Sequence, residues 1–171
     1  YFDKLSWLVK LNLFKSYCNS IFGCELWALD ACDAVEQFSV AWRKGLRRVL
    51  NLPRATHSHL LPLISNSLPI LDEMCKRSAR FMQSCLSSDS SLVRAVINNG
   101  ILARSYSVVG RNVMFICRRY GWSIRSFVSG QVPLFNCNFM SLYLSGVSGG
   151  DFRCVNFAFE LLCLREHSYS L

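Results

Sequence analysis

The sequence is short of acidic residues. Only 11 Asp and Glu stand against 19 Lys and Arg among 171 residues, which gives a formal net charge of +8. Apolar residues make up 51% of the chain, a fraction that excludes a disordered protein. The basic balance favours a polyanionic partner, most often a nucleic acid, although a solvated basic surface gives the same composition.

Long apolar runs are also missing. The longest uncharged stretch, residues 126–150, contains four glycines, a proline and several amides. A membrane-spanning helix needs about 20 predominantly apolar residues, so we predict no membrane partner. No basic-then-apolar leader opens the chain, which begins at Tyr1 rather than Met. We therefore expect a piece of a longer intracellular product, nuclear or cytoplasmic.

The nine cysteines lack the spacing of zinc ligands. No Cys-x-x-Cys pair occurs, and the close pair His57 and His59 is far from any pair of cysteines. Zinc sites need such close ligand pairs, so we predict no structural zinc. The odd number and the apolar surroundings indicate reduced, buried thiols at Cys18, Cys24, Cys32, Cys75, Cys85, Cys117, Cys137, Cys154 and Cys163.

Catalytic motifs are absent as well. The chain has no Asp-Asp dipeptide of the polymerase type and no phosphate-cradling glycine loop. Its close acid pairs, Asp30 with Asp33 and Asp72 with Glu73, lie at predicted helix starts, where acids cap helices and complement the dipole. We predict no catalytic centre and no cofactor in this chain.

What is present is a helical pattern of apolar residues, spaced three and four apart along most of the chain. It predicts an all-α protein with helices over residues 3–22, 35–50, 69–86, 91–97 and 108–120. Gly23 and Gly121 are expected to end helices in the left-handed conformation, and residues 98–100 to break the fourth. We predict three regions: a basic helical region (1–125), an uncharged irregular segment (126–150) and an apolar C-terminal helix within 151–171.

The second predicted helix has two distinct faces. Trp42 and Leu46 fall on its apolar stripe, and four cations lie opposite with no acid among them: Arg43, Lys44, Arg47 and Arg48. A second basic set lies on the following helix: Lys76, Arg77 and Arg80. Such faces can contact phosphates, or they can simply be solvated. Trp42 and Trp27 are interpreted as core anchors, and His57 and His59 as loop or packing residues.

Short strings along almost the whole chain resemble a known family. They comprise residues 14–18, 23, 26–27, 41–44, 46–48, 52–53, 56–57, 60–62, 84–86, 118–122, 160–162 and 164–166. In order and spacing they are similar to the region after the polymerase core in non-LTR (LINE-type) retrotransposon reverse transcriptases, of the jockey-like and chicken-repeat-like kinds. Gly45 departs from the family pattern, which usually has a better helix former there. This departure suggests a locally softened helix or a decaying copy.

The resemblance implies a helical, thumb-like bundle that grips the RNA–DNA template–primer duplex and adjoins a polymerase core upstream. The catalytic aspartates and their Mg²⁺ ions would belong to that core, so none is carried over to this chain. An RNA-containing duplex is recognised mainly through its shape, phosphates and 2′-hydroxyls, which suits basic helix faces. The alternative is a helical protein-interaction module or an orphan remnant without a nucleic-acid role, docking through the apolar C-terminal helix.

Overall fold

The computed structural model describes residues 4–130, and within this range it contains seven α-helices and no strand. The helices are α1 (Trp7–Cys18), α2 (Cys32–Val49), α3 (Leu60–Ile64), α4 (Ile70–Leu86), α5 (Ser91–Leu102), α6 (Val108–Tyr120) and α7 (Ile124–Val128). Two 3₁₀ turns, Cys24–Leu26 and Arg104–Tyr106, lie between them. The prediction of an all-α fold is confirmed for these residues. The predicted C-terminal helix and most of the segment 126–150 lie outside them.

The chain divides into two compact units. The described part of the first unit comprises residues 4–19 and 41–69, and that of the second comprises residues 20–40 and 70–130. Helix α2 contributes its first nine residues to the second unit and the rest to the first.

The core of the first unit forms between α1, the second half of α2, and α3. Its buried apolar side chains are Leu11, Trp42, Leu46, Leu50, Leu61 and Ile64. The indole Nε1 of Trp42 donates a hydrogen bond to Oδ1 of Asn19 at 3.0 Å, which satisfies the one polar group of this buried ring. Trp42 is thus a core anchor, as predicted.

Gly45 is explained by packing in this unit. A Cβ built on Gly45 would lie 2.7 Å from Cε2 of the Phe14 ring on α1. Glycine therefore allows the Phe14 ring to lie against α2. This contact explains why a glycine stands at position 45, which the sequence pattern alone could not explain.

The second unit is built around α4. Helices α5, α6 and α7 and the Cys24–Leu26 turn all contact α4. The largest buried side chains of this unit include Met74, Met82, Val113, Ile116 and Phe127. Asn112 of α6 is also buried, where its side chain accepts from the Leu29 N–H at 2.9 Å and donates to the Trp27 carbonyl at 2.7 Å. A buried amide with both ends paired fixes α6 against the connector before α2.

Local signals placed several helix boundaries correctly. Helix α6 covers the predicted residues 108–120, and Gly121 ends it at φ +70°. The Trp122 N–H reaches back to the Cys117 carbonyl at 2.9 Å, closing a Schellman-type cap. Helix α4 begins at Ile70, directly after Pro69, with Asp72 and Glu73 in its first turn. Ser90 caps α5 by accepting from the Val93 N–H at 3.4 Å.

Three expectations about the helices were wrong. Helix α1 ends at Cys18, not at residue 22, and the left-handed Gly23 (φ +75°) opens the following 3₁₀ turn instead. Helix α5 continues through residues 98–100 to Leu102, because Ile97 and Ile101 are both buried on one face. The helical region also extends to Val128, just past the predicted boundary at residue 125.

Candidate nucleic-acid interface

The two predicted faces of α2 are present in the first unit. Trp42 and Leu46 are 6% and 1% exposed on the core side. On the opposite side Lys44 and Arg48 are exposed, while Arg43 and Arg47 are half-buried. We call these four cations the α2 basic face.

Arg47 differs from its neighbours because its guanidinium is held by the loop that follows α2. Its Nε and Nη2 donate to the Thr56 carbonyl at 3.2 and 2.8 Å, and Nη2 also donates to Oγ of Ser58 at 3.0 Å. These bonds direct Arg47 toward the protein, so it supports the loop. Lys44 and Arg48 make no such bond to any residue between 4 and 130.

The loop after α2, residues 51–59, has a defined backbone. Asn51 adopts φ +51°, and the Leu52 N–H donates to the Arg47 carbonyl at 2.8 Å, which closes the helix end. Two turns follow, one closed by Thr56 N–H to the Pro53 carbonyl at 3.0 Å and one by Leu60 N–H to the His57 carbonyl at 3.1 Å. The loop is therefore held at both turns and by Arg47.

This loop presents a cation and two rings to solvent. Arg54, His57 and His59 are all exposed. The two imidazole rings stack on each other, with ring centroids 5.4 Å apart and planes 27° apart. The prediction that both histidines are loop residues is confirmed.

The division into units shows a separation of charge that the linear sequence does not reveal. The described part of the first unit has no Asp or Glu and has eight cations: Lys4, Lys10, Lys15, Arg43, Lys44, Arg47, Arg48 and Arg54. In the described part of the second unit, nine cations are accompanied by seven acids. Most of the basic excess of the described residues therefore lies in the first unit. The linear sequence does not reveal this acid-free unit, because a stretch that contains acidic residues (25–36) lies between its two segments.

The second predicted basic set belongs to the second unit and has acidic partners. Glu73 pairs with Arg77 at 3.1 Å and with Lys76 at 3.7 Å, one turn away on α4. Arg80 is exposed. The structure thus places the two predicted sets in different units, and Glu73 balances part of the charge of the second set.

A buried carboxylate in the second unit was missed. Asp72 lies in the first turn of α4, as expected for a residue that complements the helix dipole, yet it is only 6% exposed. Its Oδ1 accepts from Arg119 Nε at 2.8 Å and from the Tyr120 hydroxyl at 2.6 Å. The hydrogen bond to Asp72 raises the pKa of Arg119, and burial raises the pKa of Tyr120. No local spacing signals these partners, which lie on α6.

Trp27 is not the core anchor that we predicted. It is 41% exposed, and its ring packs edge-on against Phe38, with ring centroids 6.1 Å apart. Trp27 follows the 3₁₀ turn Cys24–Leu26 at the surface of the second unit. The side chain of Asn112 donates a hydrogen bond to the backbone carbonyl of Trp27.

Three of the cysteines in the described part of the chain are buried. Cys24, Cys75 and Cys117 are buried, as predicted, whereas Cys18 is exposed at the end of α1. Burial raises the pKa of Cys24 to about 11 and that of Cys75 to about 12. Among residues 4–130, no three His, Cys, Asp or Glu side chains are grouped so as to hold a metal ion.

No helix in the described range is both long enough and apolar enough to cross a membrane. Comparisons of the chain with protein-family models, with curated proteins and with solved structures give no match.

Proposed function

We propose that the chain is a non-catalytic, nucleic-acid-binding part of a LINE-type reverse transcriptase, and that its first unit grips the RNA–DNA template–primer duplex. The observation that carries the proposal is the charge of that unit, whose described part has eight cations and no acid. The family resemblance of residues 41–62 falls within the same unit.

The α2 basic face suits a duplex backbone. Cations that neutralise phosphates release condensed counterions, so binding is strong at low salt and weakens steeply as salt rises. Phosphate contacts position a protein without reading sequence, as a polymerase that copies any template requires. Lys44 and Arg48 are exposed and Arg43 is half-buried beside them, so these three are assigned to phosphate contact. Arg47 is assigned to holding the loop.

The set Lys76, Arg77 and Arg80 has a smaller part in this proposal. Charges paired with a nearby carboxylate release fewer counterions when they meet a phosphate, and Glu73 is within 4 Å of two of the three. The proposed partners are RNA, the RNA–DNA duplex and the upstream polymerase core, in the nucleus or cytoplasm. Polymerisation and its Mg²⁺ ions are assigned to that core.

The test is the salt dependence of duplex binding. Fluorescence anisotropy of a blunt RNA–DNA hybrid is measured with the 171-residue chain and with the triple variant Arg43→Gln, Lys44→Gln, Arg48→Gln. Each lost phosphate contact should reduce the slope of log K against log salt by roughly 0.7 to 0.9, so the triple variant should lose about two units of slope. Loss of affinity should be similar for hybrids of different sequence.

A matched control removes the same charge from the second unit. Arg94, Arg118 and Arg125 are exposed, and their replacement by Gln also lowers the net charge by three. The control should leave the slope almost unchanged. Equal losses in both variants would show that only total charge matters and would contradict a site on α2. Absence of salt-dependent binding in the parent chain would contradict the proposal and favour the interaction module, whose predicted docking helix lies outside the described residues.

A further inference from the structure

The exposed histidine pair in the loop after α2 has no role in gripping a duplex backbone. His57 and His59 lie in the acid-free unit, on the same turn, with their rings stacked at 5.4 Å. The backbone that carries the pair forms a turn, closed by the hydrogen bond from the Leu60 N–H to the His57 carbonyl. Arg47 fixes the preceding residues through Thr56 and Ser58.

We infer that this loop binds unpaired nucleotides next to the duplex, with the His57–His59 pair as a stacking surface for a base and Arg54 as a phosphate contact. The inference rests on the proposed function and adds the class of ligand, a single-stranded extension of the template. Unpaired bases are bound by stacking on aromatic side chains, histidine included, together with a cationic groove that follows the backbone.

Three features of the loop fit this ligand better than a paired one. Bases inside a duplex have their faces covered by neighbours, so an exposed ring stacks on a splayed or unpaired base rather than on a base within the duplex. The loop is fixed before binding, so little ordering entropy opposes it. Arg54 lies three residues before His57 in the sequence and, like it, is exposed, so the same loop also carries a positive charge.

The stacking surface is tested with two hybrids that share one duplex. One is blunt, and the other carries a short extension of unpaired template nucleotides. The parent chain should bind the extended hybrid more tightly. The double variant His57→Ala, His59→Ala should lose at least about fivefold in affinity for the extended hybrid, the lower end of the cost of one stacked base. Its affinity for the blunt hybrid should not change.

A second double variant separates stacking from hydrogen bonding or imidazole charge. His57→Phe, His59→Phe keeps two flat rings but removes the ring nitrogens, and it should retain the preference for the extended hybrid. Loss of the preference in the Phe variant would overturn a stacking role. Circular dichroism of both variants should match the parent, since both side chains are exposed.

The outcomes for the two proposals differ. If the parent binds both hybrids equally and with a steep salt dependence, the stacking inference is wrong and the duplex-binding function stands. The same holds if the Ala variant keeps the preference. If the parent binds neither hybrid, the proposed function itself fails, and with it the inference.

Discussion

The guanidinium of Arg47 donates two hydrogen bonds to the carbonyl oxygen of Thr56, at 3.2 Å from Nε and 2.8 Å from Nη2. The bonds join the last turns of α2 to the loop that contains His57 and His59. One of the four cations of the α2 basic face therefore has a structural task, although its place on the helical wheel is next to Arg43.

Arg47→Gln should destabilise the first unit, and its neighbour provides the control. A hydrogen bond that involves a charged group contributes about 1.5–3 kcal/mol, and partial exposure of Arg47 lowers the expected loss to about 1–2 kcal/mol. Arg48→Gln removes the same charge from an exposed position, so it should change the free energy of unfolding by less than about 0.5 kcal/mol. Urea denaturation followed by circular dichroism measures both. Equal stability of the two variants would show that the Arg47 bonds contribute nothing.

Trp42 and Trp27 should respond very differently to truncation. Trp42→Ala removes a ring that is 6% exposed and leaves a cavity in the core of the first unit, at a cost of about 3–5 kcal/mol. Trp42→Phe keeps most of the volume but removes the hydrogen bond from Trp42 Nε1 to Asn19 Oδ1, so a smaller loss of about 1–2 kcal/mol is expected. Trp27→Ala, at a ring that is 41% exposed, is the control and should cost less than Trp42→Ala. Thermal unfolding ranks the three variants, and an equal loss for both Ala variants would contradict the assignment of Trp42 to the core.

Sequence reasoning succeeded where the determinant is local. The left-handed cap at Gly121, the start of α4 after Pro69 and the two faces of α2 each depend on residues within one or two turns. Propensity and helical periodicity act over that range, so a linear pattern contains the information.

Two of the failures depend on burial or on contacts from outside the helix concerned, which a linear helix pattern does not contain. Helix α5 passes through Gly100 because buried Ile97 and Ile101 anchor it and because Ser107 donates to the Gly100 carbonyl at 2.6 Å. Asp72 is buried because its partners arrive from α6. The candidate site was predicted in part: the α2 basic face follows from a helical wheel, whereas the acid-free unit follows only from the tertiary division of the chain.

Gly110 and Gly45 should differ in their tolerance of alanine. A Cβ at Gly110 would lie 2.7 Å from both Cα of Arg104 and the carbonyl oxygen of Gly100, which are backbone atoms of the preceding helix and turn. A Cβ at Gly45 would meet only the edge of the Phe14 ring. Alanine gains about 1 kcal/mol in helix propensity at either site, but backbone cannot move aside as a ring can.

We therefore expect Gly110→Ala to lose about 2 kcal/mol or more of stability and Gly45→Ala to stay within about 1 kcal/mol of the parent. Urea denaturation midpoints of the two variants measure the difference. If Gly45→Ala lost as much stability as Gly110→Ala, the Phe14 ring would be as unable to move aside as the backbone atoms near Gly110.

Alkaline conditions should destabilise the second unit through Cys75. Burial raises the pKa of this thiol from 9.0 to about 12, so the folded state favours the neutral form. Below about pH 9 the thiol is neutral in both states and its contribution is fully present. Above that, the unfolded chain loses the proton first, and stability falls until the folded thiol also ionises near pH 12. Between about pH 8.5 and about pH 10 the loss from Cys75 should be about 1 kcal/mol.

The variant Cys75→Ala should start less stable, because it leaves a small cavity, but its stability should fall less between these two pH values. Cys18→Ala is the matched control: Cys18 is exposed at the end of α1, so the variant should follow the steeper decline of the parent. Urea denaturation at each pH, under reducing conditions, measures the free energy of unfolding. A decline in Cys75→Ala as steep as that of the parent would remove Cys75 as its source and leave the other groups whose pKa burial raises, namely Cys24, Cys117 and Tyr120.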